Sequence, residues 1–131
     1  MNAAEFINDE LIASCDERIN SIQEDGKFLR TPDFSIEPKY QNLINDNEIS
    51  LKLVQVEKMI YKAIANKNTP RQLFSKLLSK YDDLLRISYD LSNNMVIDGL
   101  MTEKTYLEFC KNSLDQREWI KRCVFVWRNS C

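Results

Sequence analysis

The chain has 131 residues, 44% of them apolar and 29% charged, with a formal net charge of −2. That is the length and composition of a single globular domain spanning 1–131, long enough for its own core and too short for two. With only 2 glycines and 3 prolines it lacks the turn residues that sandwiches, barrels and most α/β folds need, and with no histidine it lacks the commonest general base and metal ligand.

What remains is an all-α protein, and the helices can be taken in chain order. Ile7, Leu11, Ile12, Cys15, Ile19 and Ile22 recur at steps of three and four, one apolar stripe down a first helix. Asp25-Gly26 is expected to end it, with glycine free to take the left-handed cap conformation. The opposite face carries Asp9, Glu10, Asp16, Glu17 and Glu24.

Residues 27–38 are expected to form an extended, proline-containing connector, because Thr31-Pro32 and Glu37-Pro38 disfavour helix at the residues before each proline. Its Phe28, Leu29, Phe34 and Ile36 are expected to fill grooves between helices, with Phe34 and Ile36 forming a partner-docking strip as the alternative.

After Pro38 a short turn with Tyr40, Leu43 and Ile44 leads to the polar run Asn45-Asp46-Asn47, expected to interrupt or bend the chain. From there Ile49, Leu53, Val56, Ile60 and Ala63 follow a 4-3-4-3 spacing, the seam of two heptads. Leu51, Val54, Met59 and Ile64 widen that stripe, which marks the helix as central.

Thr69-Pro70-Arg71-Gln72 has the pattern of a helix start, with Thr69 as cap and Pro70 in the first position. The stripe that follows, from Leu73 to Leu91, is wide enough for two neighbours, and Asn93-Asn94 is expected to end it. Gly99 lies in a short connector, and Thr102 caps a last segment that is either one helix to Trp127 or two helices broken near Ser113. The sum is an elongated bundle of four to five helices.

No catalytic constellation, phosphate loop or metal-ligand spacing occurs, so neither catalytic residue nor cofactor is assigned and the protein reads as non-enzymatic. Cys15, Cys110 and Cys123 fall in register with apolar neighbours and read as reduced core residues, with Cys131 at the chain end exposed. No stretch approaches ~18 consecutive apolar residues, so no membrane insertion is expected. The N-terminal residues lack a secretory pattern, and a cytoplasmic (or, by association, nuclear) location is expected. The high content of asparagine and isoleucine is a bias that AT-rich genomes, viral ones among them, produce.

Charge is unevenly placed. Residues 1–50 carry 4 basic and 11 acidic side chains, and residues 51–131 carry 14 basic and 9 acidic, nets of −7 and +5. The basic excess concentrates over 52–80, where Glu57 is the one acid. Three readings compete: solvation of an outer face, complementarity with the acidic first helix within or between chains, and phosphate contacts to nucleic acid through Lys58, Lys62, Lys67 and Arg71. At the other end Trp119, Val126 and Trp127 combine residue types that dominate interfaces; Trp119 and Ile120 are expected in the core, Val126 and Trp127 on a contact surface. The expected function is a protein–protein interaction module (an adaptor, regulatory or structural subunit) acting by assembly with itself or a protein partner. The alternative is an accessory protein that binds nucleic acid through the basic strip 52–80.

Overall fold

The computed structural model describes residues 3–66 and 68–129, with side chains for all of these except 3–7, 34 and 127–129. It is an all-α bundle. The helices are α1 (Ala3–Leu29), the single turn α2 (Pro32–Ser35), a 3₁₀ turn (Pro38–Tyr40), α3 (Gln41–Ala65), α4 (Arg71–Ile97) and α5 (Glu103–Asn129). The four long ones have 25 or 27 residues each, about 40 Å at 1.5 Å per residue.

Helix α3 is the centre, packed along both α1 and α4. Its neighbours run antiparallel to it: Cys15 and Ile22 of α1 meet Glu57 and Asn47, and Asn42 and Asp46 meet Asp98 and Ser88 of α4. Helix α5 returns antiparallel to α4, through Arg117–Asp82 and an edge-to-face contact of Tyr89 with Phe109 at 5.8 Å. Val56, Ile60, Tyr61 and Ile64 of α3 join Phe74, Leu77, Tyr81 and Leu85 of α4 in the core, closed by Cys15 of α1 and by Ile120 and Cys123 of α5. The central stripe read from the heptad spacing is thus the core of the bundle. Cys15 and Cys123 are buried, Cys110 is half-buried, and all three are free thiols.

Several helix ends fall elsewhere than expected, each for a local reason. Helix α1 runs through Gly26 to Leu29. Gly26 is buried there because α3 comes close: an added Cβ would lie 2.5 Å from Asn47 Oδ1 and 2.7 Å from Arg30 Nη1. The glycine is used for close approach rather than as a cap. The Asn45-Asp46-Asn47 run does not interrupt α3, since Asp46 and Asn47 find partners on the neighbouring helices and Asn45 finds one on its own. Asn47 donates to the Ile22 carbonyl at 2.9 Å, Asp46 accepts from Ser88, and Asn45 accepts from Gln41.

The connector 27–38 is not extended. Pro32 and Pro38 each open a helical turn, because a fixed φ near −65° suits a first helical position and only the residue before proline must leave it. Glu37 does so, with ψ 117°. Phe28 and Ile36 do not fill grooves; both are exposed. The side chain of Phe34 lies outside the described ones.

At α4 the capping residue is Pro70 rather than Thr69, and its carbonyl takes the Leu73 N–H. Asn93-Asn94 lies inside α4, which ends three residues after Asn94, at Ile97, in a Schellman motif. Gly99 adopts φ +77°, the Leu100 N–H reaches back to the Met95 carbonyl and the Gly99 N–H to that of Val96. Thr102 caps α5 as expected, its Oγ1 accepting the Thr105 N–H at 3.1 Å. Helix α5 is continuous through Ser113, because Gln116 turns inward to Glu57 instead of capping a new start.

Candidate functional site

The densest polar arrangement is built on Glu57. It follows Val56 and precedes Ile60 and Tyr61, so the 3.6-residue period carries it toward the core, and it is 2% exposed. An isolated carboxylate in such a place would be untenable without partners. Three helices supply them. Arg18 of α1 donates through Nη2 at 2.6 Å and Nη1 at 3.2 Å, Gln116 of α5 donates at 3.1 Å, the Tyr61 hydroxyl at 2.9 Å, and the Cys15 thiol at 3.7 Å.

The electrostatics follow from burial and from that one charge. Burial, reinforced by the Glu57 carboxylate, pushes the Cys15 thiol up to about 12, and burial with the same charge pushes Cys123 to about 11. The Tyr61 and Tyr81 hydroxyls are raised for the same two reasons. Burial works to lower the Arg18 value, but the hydrogen bonds and charge of Glu57 outweigh it and hold it above the ordinary one.

These shifts decide what the cluster can do. Cys15 is held as a thiol at neutral pH, and the thiol form is not a nucleophile. Both carboxylate oxygens are already occupied by donors. The arrangement is an internal tie between α1, α3 and α5, beside a cleft of about 230 Å³ lined by Arg18, Glu57, Tyr81, Ser88, Asn112 and Gln116. Sequence reasoning named Glu57 only as the lone acid of a basic window. Its position in the core register of α3 was the signal that it is buried.

The proposed phosphate-contact residues are not gathered on one surface. Lys58 faces α1, where its Nζ lies 2.5 Å from Asp16. Lys62 is exposed on α3. Arg71 lies instead at the α4–α5 groove of about 410 Å³, with Phe74, Leu78, Lys121, Val124 and Phe125. Lys67 is outside the described residues. Tyr61 and Phe74, the rings nearest the strip, are both buried. Among the described residues complementarity with the first helix is present in one pair, Lys58–Asp16, whereas Arg18–Glu57 places the cation on α1 and Arg30–Glu48 places it just past the end of that helix.

Of the interface candidates, Ile36 and Val126 are exposed, and so is Trp119, which does not enter the core. Ile120, the next residue on α5 and about 100° round it, takes the inward position instead. The Trp127 side chain lies outside the described ones. A further line of apolar residues stands on α5: Leu107, Leu114 and Phe125 are 60%, 53% and 71% exposed.

Among the described residues no group of three or more acidic or cysteine side chains could hold a metal ion, and no helix is long and apolar enough to cross a membrane. Comparisons of the chain with known protein families, with curated proteins and with solved structures found no match.

Proposed function

We propose that this protein is a non-enzymatic helical interaction module that works by assembly, with the outer side of α5 as the contact to a second copy. The observation that supports this is a helix apolar on two sides. Ile120 and Cys123 point into the core, while Leu107, Leu114 and Phe125, spaced by seven and eleven residues, fall within about 20° of one another on an exposed line away from those two, with Leu114 and Phe125 edging the clefts against α4. A second apolar line on a helix is a candidate contact surface.

The charges along that line suit a self-complementary contact. Lys111 and Glu118 are both exposed beside Leu114. In a two-fold antiparallel pairing centred near Leu114, each Lys111 faces the other copy's Glu118. Light scattering after size exclusion tests the reading. The wild-type mass should exceed the 15.5 kDa of one chain, and Leu107→Asp with Leu114→Asp should restore that single-chain mass with helicity unchanged. A wild-type protein that stays at one chain's mass at every concentration rejects it.

A further inference from the structure

We infer that the outer face of the α3–α4 hairpin, on the side away from α5, is a docking surface for an acidic amphipathic helix of a partner protein. The inference does not rest on assembly through α5, which lies on the other side of this layer. The opposition follows from helical geometry. Met59 stands two residues, about 200°, beyond Glu57, which is held by Gln116 of α5. Lys80 and Leu73 stand about 200° and 180° from Asp82, which is held by Arg117 of α5.

Two features of the fold set the charge of this face: one removes its acid and the other draws off a lysine. The only acid between residues 49 and 81 is Glu57, and the fold withdraws it into the core and neutralises it with Arg18. Lys58, which could have been counted with the strip, is bound to Asp16 on the α1 side. What remains at the surface is Lys52 and Lys62 of α3 with Lys76 and Lys80 of α4, all exposed. None of the four makes an ion pair among the described residues. With no acid interspersed, such a face attracts an anionic partner.

The apolar component selects the class of partner. The Asp46–Ser88 and Asn42–Asp98 contacts set the register of the hairpin. That register places Met59 abreast of the Lys76–Lys80 turn and Leu73 abreast of Lys62. Met59 and Leu73 are both exposed large apolar side chains, so this face combines an apolar floor with a lysine rim. A helix with an apolar stripe flanked by carboxylates meets both at once. Nucleic acid would use the rim and leave the floor unused, and the strip's own rings, Tyr61 and Phe74, are buried and unable to stack on bases. The acidic outer side of α1 in a second copy offers charge without a stripe: around Glu10 and Glu17 it carries Ala13, Ser14 and Ser21.

Fluorescence anisotropy on the full chain tests the inference with three labelled probes. They are a synthetic helix with a leucine stripe flanked by glutamates, a peptide of the same composition with the leucines scattered, and a short DNA duplex. The striped peptide should bind at least about tenfold tighter than either other probe, a difference of about 1.4 kcal/mol. The triple change Lys62→Glu, Lys76→Glu and Lys80→Glu should weaken it by about tenfold or more, and Met59→Ala with Leu73→Ala several-fold even at high salt. Lys→Gln at the same three positions serves if the reversals disturb folding. Equal binding of both peptides, tighter binding of the duplex, indifference to the lysine changes, or no binding of the striped peptide near 100 μM (about −5.5 kcal/mol) each overturns it.

Discussion

Replacing Arg18 with methionine isolates the cost of burying Glu57. Methionine keeps much of the apolar stem, so the change removes a charge and three hydrogen bonds, two to Glu57 and one to the Cys15 sulfur, with little loss of packing. Glu57 is left 2% exposed, with only the neutral donors Cys15, Tyr61 and Gln116. Breaking a buried pair from one side costs about 3–5 kcal/mol, because the remaining charge has neither water nor counter-charge. Domains have about 5–15 kcal/mol in total, so the variant should lose a large share of its stability. At roughly 3–5 °C per kcal/mol for this length, its Tm should fall by about 10–20 °C.

The reverse change should be milder. Arg18 is 40% exposed, so in Glu57→Leu its guanidinium can turn to water. The residual cost is the acceptor lost to Tyr61 and Gln116, about 1–3 kcal/mol. In the double variant both charges are gone, and an apolar pair of similar volume is often neutral or better than a buried ion pair. The double variant should therefore be more stable than Arg18→Met alone. Urea unfolding followed by the helical circular-dichroism signal gives all three values. A cost below about 1 kcal/mol for Arg18→Met would put the pair among ordinary surface salt bridges and refute the argument from burial, as would a double variant no more stable than that single one.

The two glycines should respond to alanine for different reasons. Gly26→Ala gains about 1 kcal/mol of helix propensity but drives a Cβ into Asn47 and Arg30. A net loss of about 1 kcal/mol is expected, turning to a gain in an Asn47→Ala background; stabilisation in the wild-type background would show that the close approach is unimportant. Gly99→Ala meets nothing within 4 Å, so its cost, about 1–2 kcal/mol, should come from the positive φ alone and be unaffected by changes in neighbouring side chains. Alkaline pH should destabilise the fold. Cys15 is raised from 9.0 to about 12 and Cys123 to about 11, so above pH 9 the unfolded chain releases thiol protons that the folded chain keeps. Their contribution is complete below that pH and is lost as pH rises through the folded values, by up to about 1.4 kcal/mol per pH unit for each thiol. Cys15→Ser should make the loss shallower, and an unchanged slope in urea unfolding would show that Cys15 does not contribute.

Local sequence was sufficient for the fold class, the Thr102 cap and the choice of central helix, though not for the cap expected at Thr69. The stripe from Ile49 to Ala63 has a period only a helix can present to one side, and Thr102 needs only its own hydroxyl and the Thr105 N–H. It failed where a residue's local preference was outweighed by a distant partner. Gly26 reads as a stop until α3 is seen 2.5 Å from its absent Cβ, and Asn47 reads as a break until it reaches the Ile22 carbonyl.

The candidate sites divide along the same line. That lysines crowd residues 52–80 around one acid is plain in the order of residues, because charge is a property of composition. Whether that acid shields them is not, because shielding depends on where Glu57 points. The bundle turns it inward to Arg18, Tyr61 and Gln116, leads Lys58 away to Asp16, and leaves Lys52, Lys62, Lys76 and Lys80 on a surface with Met59 and Leu73. Periodicity determined which residues share a side of each helix. Only the packing of α1 and α5 against the α3–α4 hairpin decided which of those sides is buried, since burial is set by contacts between residues about forty to sixty positions apart.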